Sequence, residues 1–223
     1  MKGSEIYDLV VVKMEEHTPF KNDMHLAFGN GGDVYDEVRP IDSYINAQMP
    51  QAANEMLRVM PIALLRYVDP QRKTCTPDTD DNRIGSIALP TDFLRLHTLR
   101  MKGWARPVHI AYKENDPEYT LQFNEWTRGT KQKPAVTIDG NGPVTAESNR
   151  AGALHYYSVD AGAEHTAKVF WYIPVFDKNN EYDSDAAELI ALNCARKVCE
   201  VFGMTEQTTF FTNEIKNVLE NVR

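Results

Sequence analysis

The residue types that could carry chemistry are present in this sequence, but not at the spacings that chemistry needs. Six histidines, His17, His25, His97, His109, His155 and His165, form no HExxH or other paired-ligand spacing. There is no GxSxG elbow, no CxxC and no Walker sequence. Phe28-Gly29-Asn30-Gly31-Gly32-Asp33 is rich enough in glycine for a phosphate loop. Such a loop feeds a helix N-terminus and brings a lysine to the phosphates, whereas Asp36 and Glu37 follow here, so a flexible loop is expected over 20–40. Asp78, Asp80 and Asp81 lack the glycine and closing glutamate of a calcium loop and read as a solvated connector. Cys75, Cys194 and Cys199 make an odd count with no disulfide framework, which suits a reducing cytosol. Cys194 and Cys199, five apart on an expected helix, point to different faces and read as small buried hydrophobes. Glu15-Glu16 is ordinary surface charge. No catalytic, cofactor-binding or metal residue is assigned, and the chain is not expected to be an enzyme. The enzymatic alternative is a site assembled only by folding.

Tyr119, Phe123 and Trp126 are aromatics on which bases could stack, but single-strand binding also needs a cationic groove. Net charge is −8, spread unevenly. Residues 1–83 hold 9 Lys/Arg against 14 Asp/Glu, residues 84–175 hold 10 against 9, and residues 176–223 hold 5 against 9. No stretch concentrates cations as phosphate-backbone binding requires, which argues against a dedicated nucleic-acid binder. These aromatics are therefore expected in a small satellite core, with Gly129 as the C′ residue of their helical turn. No apolar run approaches the roughly 20 residues of a membrane span. The N-terminal segment carries acids inside its apolar part and does not read as a signal peptide.

The elements that must position these residues fall into three blocks. Residues 1–83 carry two helices and a polar connector. The first helix runs over 4–17 from a Ser4 cap, with Ile6, Leu9, Val10 and Met14 on one face. The second, to 59, has a methionine-rich stripe and an internal Pro50, where a kink or split is expected. Residues 84–175 read as a β-rich inserted module with strands at 84–89, 94–101, 106–112, 134–139, 153–159 and 167–175. Within it, 84–108 reads as a hairpin turning at Pro90, and Phe93 and Trp104 are expected to anchor the module. Residues 176–223 carry two helices, 184–202 and 205–222, that complete the helical domain. Ala187, Ile190, Ala191, Cys194, Val198 and Val201 form the inner face of the first, capped by Asp183 or Ser184 and closed by Gly203; Phe211, Ile215, Val218 and Leu219 stripe the second. The expected class is α+β: a helical bundle with an inserted, mainly antiparallel β-rich module.

The phrases Leu89-Pro90-x-Asp92-Phe93-Leu94-Arg95-Leu96 and Leu99-Arg100-Met101-Lys102-Gly103-Trp104-x-Arg106-Pro107-Val108 stand in this middle block. Downstream come PEYTLQFNEWTRGT and KPAV. Together they resemble head–tail connector (adaptor, or neck ring) proteins of tailed bacteriophages, including those of crAss-like phages. The resemblance covers roughly residues 40–140 by phrase and the whole chain by order of elements. It implies a structural virion protein made in the bacterial host cytoplasm and placed at the head–tail junction. It further implies a homo-oligomer, a dodecameric ring, between the portal protein and a tail or further neck protein. DNA would pass through the lumen without sequence-specific binding, and no membrane would be involved. The stripe Phe211, Ile215, Val218 and Leu219 would then meet the portal or a neighbour. A different neck or tail-completion ring protein is the alternative within that class.

Overall fold

The computed structural model describes residues 1–17, 41–70, 73–139, 152–160, 162 and 164–221. They form an α+β fold of α-helices and antiparallel sheets in two compact units. Residues 1–66 and 176–223 make a helical unit, and residues 67–175 make a β-rich unit. The β-rich unit thus starts at Tyr67 rather than at 84. Val68 bridges to Tyr172, and β1 (Cys75–Pro77), which lies inside the expected connector, pairs with β2 (Gly85–Ala88). The glycine-rich loop over 20–40 lies outside the described residues.

The helical unit consists of α1 (Gly3–His17), α2 (Ile41–Val59), α4 (Ser184–Val201) and α5 (Thr205–Asn221), with α3 (Pro117–Leu121) in the other unit. α4 is its centre. Eleven of its residues are buried, including Leu189, Ile190, Leu192, Cys194 and Cys199. A helix apolar nearly all round has to be enclosed, and α4 packs against α1, α2 and α5. Both cysteines are therefore inside, and burial pushes the Cys194 thiol up to about 12 and the Cys199 thiol up to about 11. Val201, expected on the inner face, is instead exposed at the end of the helix. The helix closes on Gly203 (φ +68), where Gly203 N–H donates to Glu200 O and Met204 N–H to Cys199 O. This is the Schellman closure, which needs a left-handed residue. At the other end the Asp183 side chain does not cap α4; it accepts from Arg66 Nε at 3.0 Å.

α1 starts two residues earlier than a Ser4 cap would place it, at Gly3 rather than Glu5. Glu5 Oε2 accepts from Lys2 N–H at 2.8 Å, the reach-back half of a capping box. Ile6, Val10 and Met14 are buried, as their spacing requires. α2 runs unbroken through Pro50. Pro50 sits on the exposed face, where the carbonyl it leaves without an N–H partner can be hydrated. The opposite face buries Ile45, Met49, Ala52, Ala53, Met56 and Leu57. There Asn193 of α4 donates from Nδ2 to Ala52 O at 2.8 Å, so the buried amide nitrogen is satisfied.

The β-rich unit contains β3 (Phe93–Met101), β4 (Val136–Asp139), β5 (Ala153–Tyr156) and β6 (Ala167–Pro174) in addition to β1 and β2. One sheet has the order β1-β2-β5-β4 and the other pairs β3 with β6. The stretch 84–108 is therefore not a hairpin. Its turn at Pro90, closed by Phe93 N–H to Pro90 O at 3.1 Å, hands the chain from one sheet to the other. Asp92 secures that corner, accepting from Tyr172 Oη at 2.9 Å and, at its carbonyl, from Val175 N–H at 2.8 Å. The expected strand 106–112 is reduced to isolated bridges at Val108 and Tyr112. Pro107 has no N–H to give a ladder, which accounts for the break. Ile87, Phe93, Leu96, Leu99, Met101, Trp104, Val136, Leu154, Tyr156, Phe170 and Tyr172 share one core between the two sheets.

Candidate interaction surface

Among the described residues, no group of three or more His, Cys, Asp or Glu could hold a metal ion, and no helix is long and apolar enough to cross a membrane. Asp78 illustrates why the acids of the connector do not gather on a cation. Its Oδ1 accepts from the backbone N–H of Asp80 and of Asp81, at 2.9 and 3.2 Å, a local turn that consumes the carboxylate.

The β-rich unit instead builds an arm, residues 113–133, whose polarity is reversed. Gln122 is buried, while Leu121, Phe123 and Trp126 are exposed, Phe123 at 70% and Trp126 at 91%. The aromatics are thus not a satellite core. Sequence reasoning missed this because the residue types suit either role, and the side chain that takes the inside is polar. Gln122 Nε2 donates to Glu118 O at 2.9 Å and its Oε1 accepts from Gly129 N–H at 2.7 Å, so one amide ties the arm shut. Thr127 Oγ1 donates to Leu121 O at 2.7 Å, and Asn124 Oδ1 accepts from Trp126 N–H at 2.9 Å. Tyr119 packs edge-on to Phe123 and donates to Asp139 Oδ1 at 2.9 Å. That hydrogen bond, with burial, pushes the Tyr119 phenol up to about 12. Gly129 is not a helix C′ residue, since α3 ends at Leu121. Its role is close approach: a Cβ there would lie 2.6 Å from Ala135 N.

An open cleft of ≈ 480 Å³ lies beside Trp126, lined by Arg83, Glu125, Arg128, Lys131 and Ser158 among others. Asp81 organises it. Its carboxylate accepts from Arg83 Nε at 3.1 Å and from Arg128 Nη2 at 2.8 Å, and Arg83 reaches on to Glu125 at 2.7 Å. Lys131 pairs with Asp160. Ser158 has a left-handed backbone (φ 62), and its hydroxyl donates to Gly129 O. Burial alone would raise the Asp81 carboxyl, but hydrogen bonds from the Arg83 side chain and backbone and from Arg128 outweigh it. They hold Asp81 well below the usual carboxylate range.

A group whose folded pKa is depressed stabilises the fold fully above its unfolded pKa, and that contribution is withdrawn as pH falls toward the folded value. Acid below about pH 4 should therefore loosen this arm. Asp81→Asn should do so at neutral pH, because the Arg128 side chain, 8% exposed, loses its carboxylate. A charged hydrogen bond of this kind contributes about 1.5–3 kcal/mol. Limited proteolysis of the variant should cut within 113–133 faster than in the unaltered chain, and equal rates would show that Asp81 does not hold the arm.

The residues singled out by sequence fall elsewhere. Phe93 and Trp104 are 1% and 2% exposed in the core of the β-rich unit. Phe211 is fully buried in the helical unit, which removes it from any free surface, whereas Ile215, Val218 and Leu219 are half-buried. A smaller ring cluster lies at Tyr67, which stacks on Trp171 with centroids 4.2 Å apart and lies beside His97. Burial, then the neighbouring His109 and Arg95, lowers the His97 pKa. Neither a protein-family model nor a curated protein matches this chain.

Proposed function

We propose that this chain is a non-enzymatic assembly protein, a head–tail connector subunit that forms a ring between the portal and the next neck or tail component of a tailed phage. The observation that carries an assembly role is the arm: Phe123 and Trp126 face solvent on a backbone tied down by Gln122, Asn124 and Thr127. Aromatic anchors held ready at a surface are what contact interfaces use, because large rings supply area at little cost in conformational entropy. The connector phrases at 89–108 and 117–136 supply the identity of the assembly. The α+β architecture, a helical unit interrupted by a β-rich one, agrees with the element order that the resemblance implies. The acid excess suits a wall past which DNA phosphate slides without being held. In this reading Ile215, Val218 and Leu219 contribute to the face that meets the portal.

Purified virions should contain the protein in multiple copies per particle, detectable by quantitative mass spectrometry against the portal. Absence from mature particles would exclude the connector role.

A further inference from the structure

Between Trp104 and the arm the chain follows the edge of β3 that β6 leaves free, and few bonds hold it there. Leu99 and Val108 exchange both backbone hydrogen bonds, each 2.8 Å long. On one side the ladder ends at Pro107, which has no N–H. On the other a side chain continues it, with His109 Nδ1 lying 2.8 Å from His97 O. The same nitrogen lies 3.2 Å from Thr98 Oγ1, and that hydroxyl lies 2.8 Å from His97 Nδ1.

Chemistry fixes the protons in this chain of groups. A carbonyl only accepts, so the His109 ring carries its proton on Nδ1 and donates it to His97 O. Thr98 is 6% exposed, and of the two ring nitrogens its hydroxyl meets, only His97 Nδ1 has a lone pair to offer. The Thr98 hydroxyl therefore donates to His97 Nδ1, and the neutral His97 ring keeps its proton on Nε2. We infer that His97, Thr98 and His109 form a proton-sensitive latch, which holds residues 106–111 on the edge of β3 only while the His97 ring is neutral. The latch is independent of the connector reading.

A proton added to His97 has to go on Nδ1. Two N–H groups then face the Thr98 hydroxyl, whose own proton has lost its acceptor, and a nearly buried donor left unpaired is costly. The new charge also faces Arg95 on β3 and, once that ring is protonated, His109 on the edge segment, with ring centroids 6.5 Å apart. The other neighbours bring uncharged rings, Tyr67 at 4.8 Å and Trp171 of β6 at 6.0 Å. Burial, then His109 and Arg95, accordingly holds the His97 pKa below its ordinary value. A second proton on the exposed His109 goes instead on Nε2 and leaves the bond from Nδ1 in place, so His97 is the sensitive member. A base whose folded pKa is depressed leaves stability whole above its unfolded value and withdraws it as pH falls below. The latch should thus begin to open below about pH 6.5, well before acid reaches Asp81. Opening is local, because at the two ends Ala105 N–H still donates to Lys131 O and Tyr112 N–H to Val136 O. It lifts Val108 off the core against which it packs.

Hydrogen exchange of the full chain, corrected for the intrinsic effect of pH on exchange, tests this. Protection of the Leu99 and Val108 amides should fall about tenfold between about pH 7.5 and about pH 5, within the roughly thirtyfold that one histidine of ordinary pKa supplies. The amides of the β3–β6 ladder should hold. His97→Asn places an oxygen where Nδ1 stood, accepts from Thr98 and does not titrate, so the fall should disappear. Should that variant be loose already at neutral pH, Thr98→Val decides. It keeps both rings and removes the hydroxyl that protonation strands, so the fall should shrink. Ring-nitrogen NMR at neutral pH should find the proton on Nδ1 of His109 and on Nε2 of His97.

Reversed tautomers overturn the latch. So does Val108 protection indifferent to pH, or a fall that persists in His97→Asn or stays undiminished in Thr98→Val. A fall shared by the whole β3–β6 ladder overturns it as well, since acid is then loosening the unit and not this edge.

Discussion

Replacing Trp104 or Phe93 by alanine should destabilise the β-rich unit by about 3–5 kcal/mol in each case. Both rings are essentially without solvent contact and lie in the core shared by the two sheets. Phe93 also stacks on Tyr172 with centroids 5.8 Å apart, across the β3–β6 pair. Against a total stability of about 5–15 kcal/mol for an ordinary domain, either loss is a large fraction. A thermal melt should fall by on the order of 15 °C or more, given about 4–8 °C per kcal/mol for a small domain. Trp104→Phe should behave differently. The Trp104 indole N–H is buried without a hydrogen-bond partner. Removing that donor relieves about 1–3 kcal/mol of desolvation cost, which offsets the volume lost. Melting temperatures unchanged by both alanine substitutions would show that these rings hold nothing together.

Phe211→Ala should likewise cost the helical unit about 3–5 kcal/mol, and ending the chain at Gly203 should cost more. Phe211 is the fully buried residue of α5, and α5 covers one side of α4. Without it, a helix that is apolar on nearly every side would face water. The shortened chain should melt early or aggregate on heating. Under the proposed connector role, a shortened chain with native circular dichroism per residue that fails only to bind portal rings would mean that the stripe of α5 serves the partner instead. Stability together with unimpaired portal binding would reject both roles.

Much of the architecture was legible in the sequence because its signals are local. α4 announces itself by an apolar inner face at helical spacing and a glycine where the left-handed closure falls, and β6 by a β-branched and aromatic run. What stayed hidden depends on partners remote in sequence. Nothing within 84–108 tells that β2 pairs with β5 and β3 with β6, because a strand's choice of neighbour is settled by which apolar face meets which. β1 escaped notice because three residues, one of them a proline, carry no period. The candidate surface was the least legible feature. Tyr119, Phe123 and Trp126 have the composition of a small core, and the decision that Gln122 goes in and the rings go out rests on the carbonyl of Glu118 and the amide of Gly129. A pattern of apolar and polar letters does not contain those two backbone groups.

The insertion of one unit within the other has a consequence for how the protein is made. The N-terminal ammonium of Met1 donates to Tyr182 O at 2.9 Å, and α1 and α2 both pack on α4. A chain leaving the ribosome therefore exposes the methionine-rich face of α2 long before α4 exists. More than a hundred residues separate Val59 from Ser184. At about 5–20 residues per second, the delay is on the order of ten seconds. The β-rich unit, contiguous in sequence, can finish folding within that interval. The helical unit is then the last to close, and its half-made surface is where chaperones, or premature partners, would find their opening.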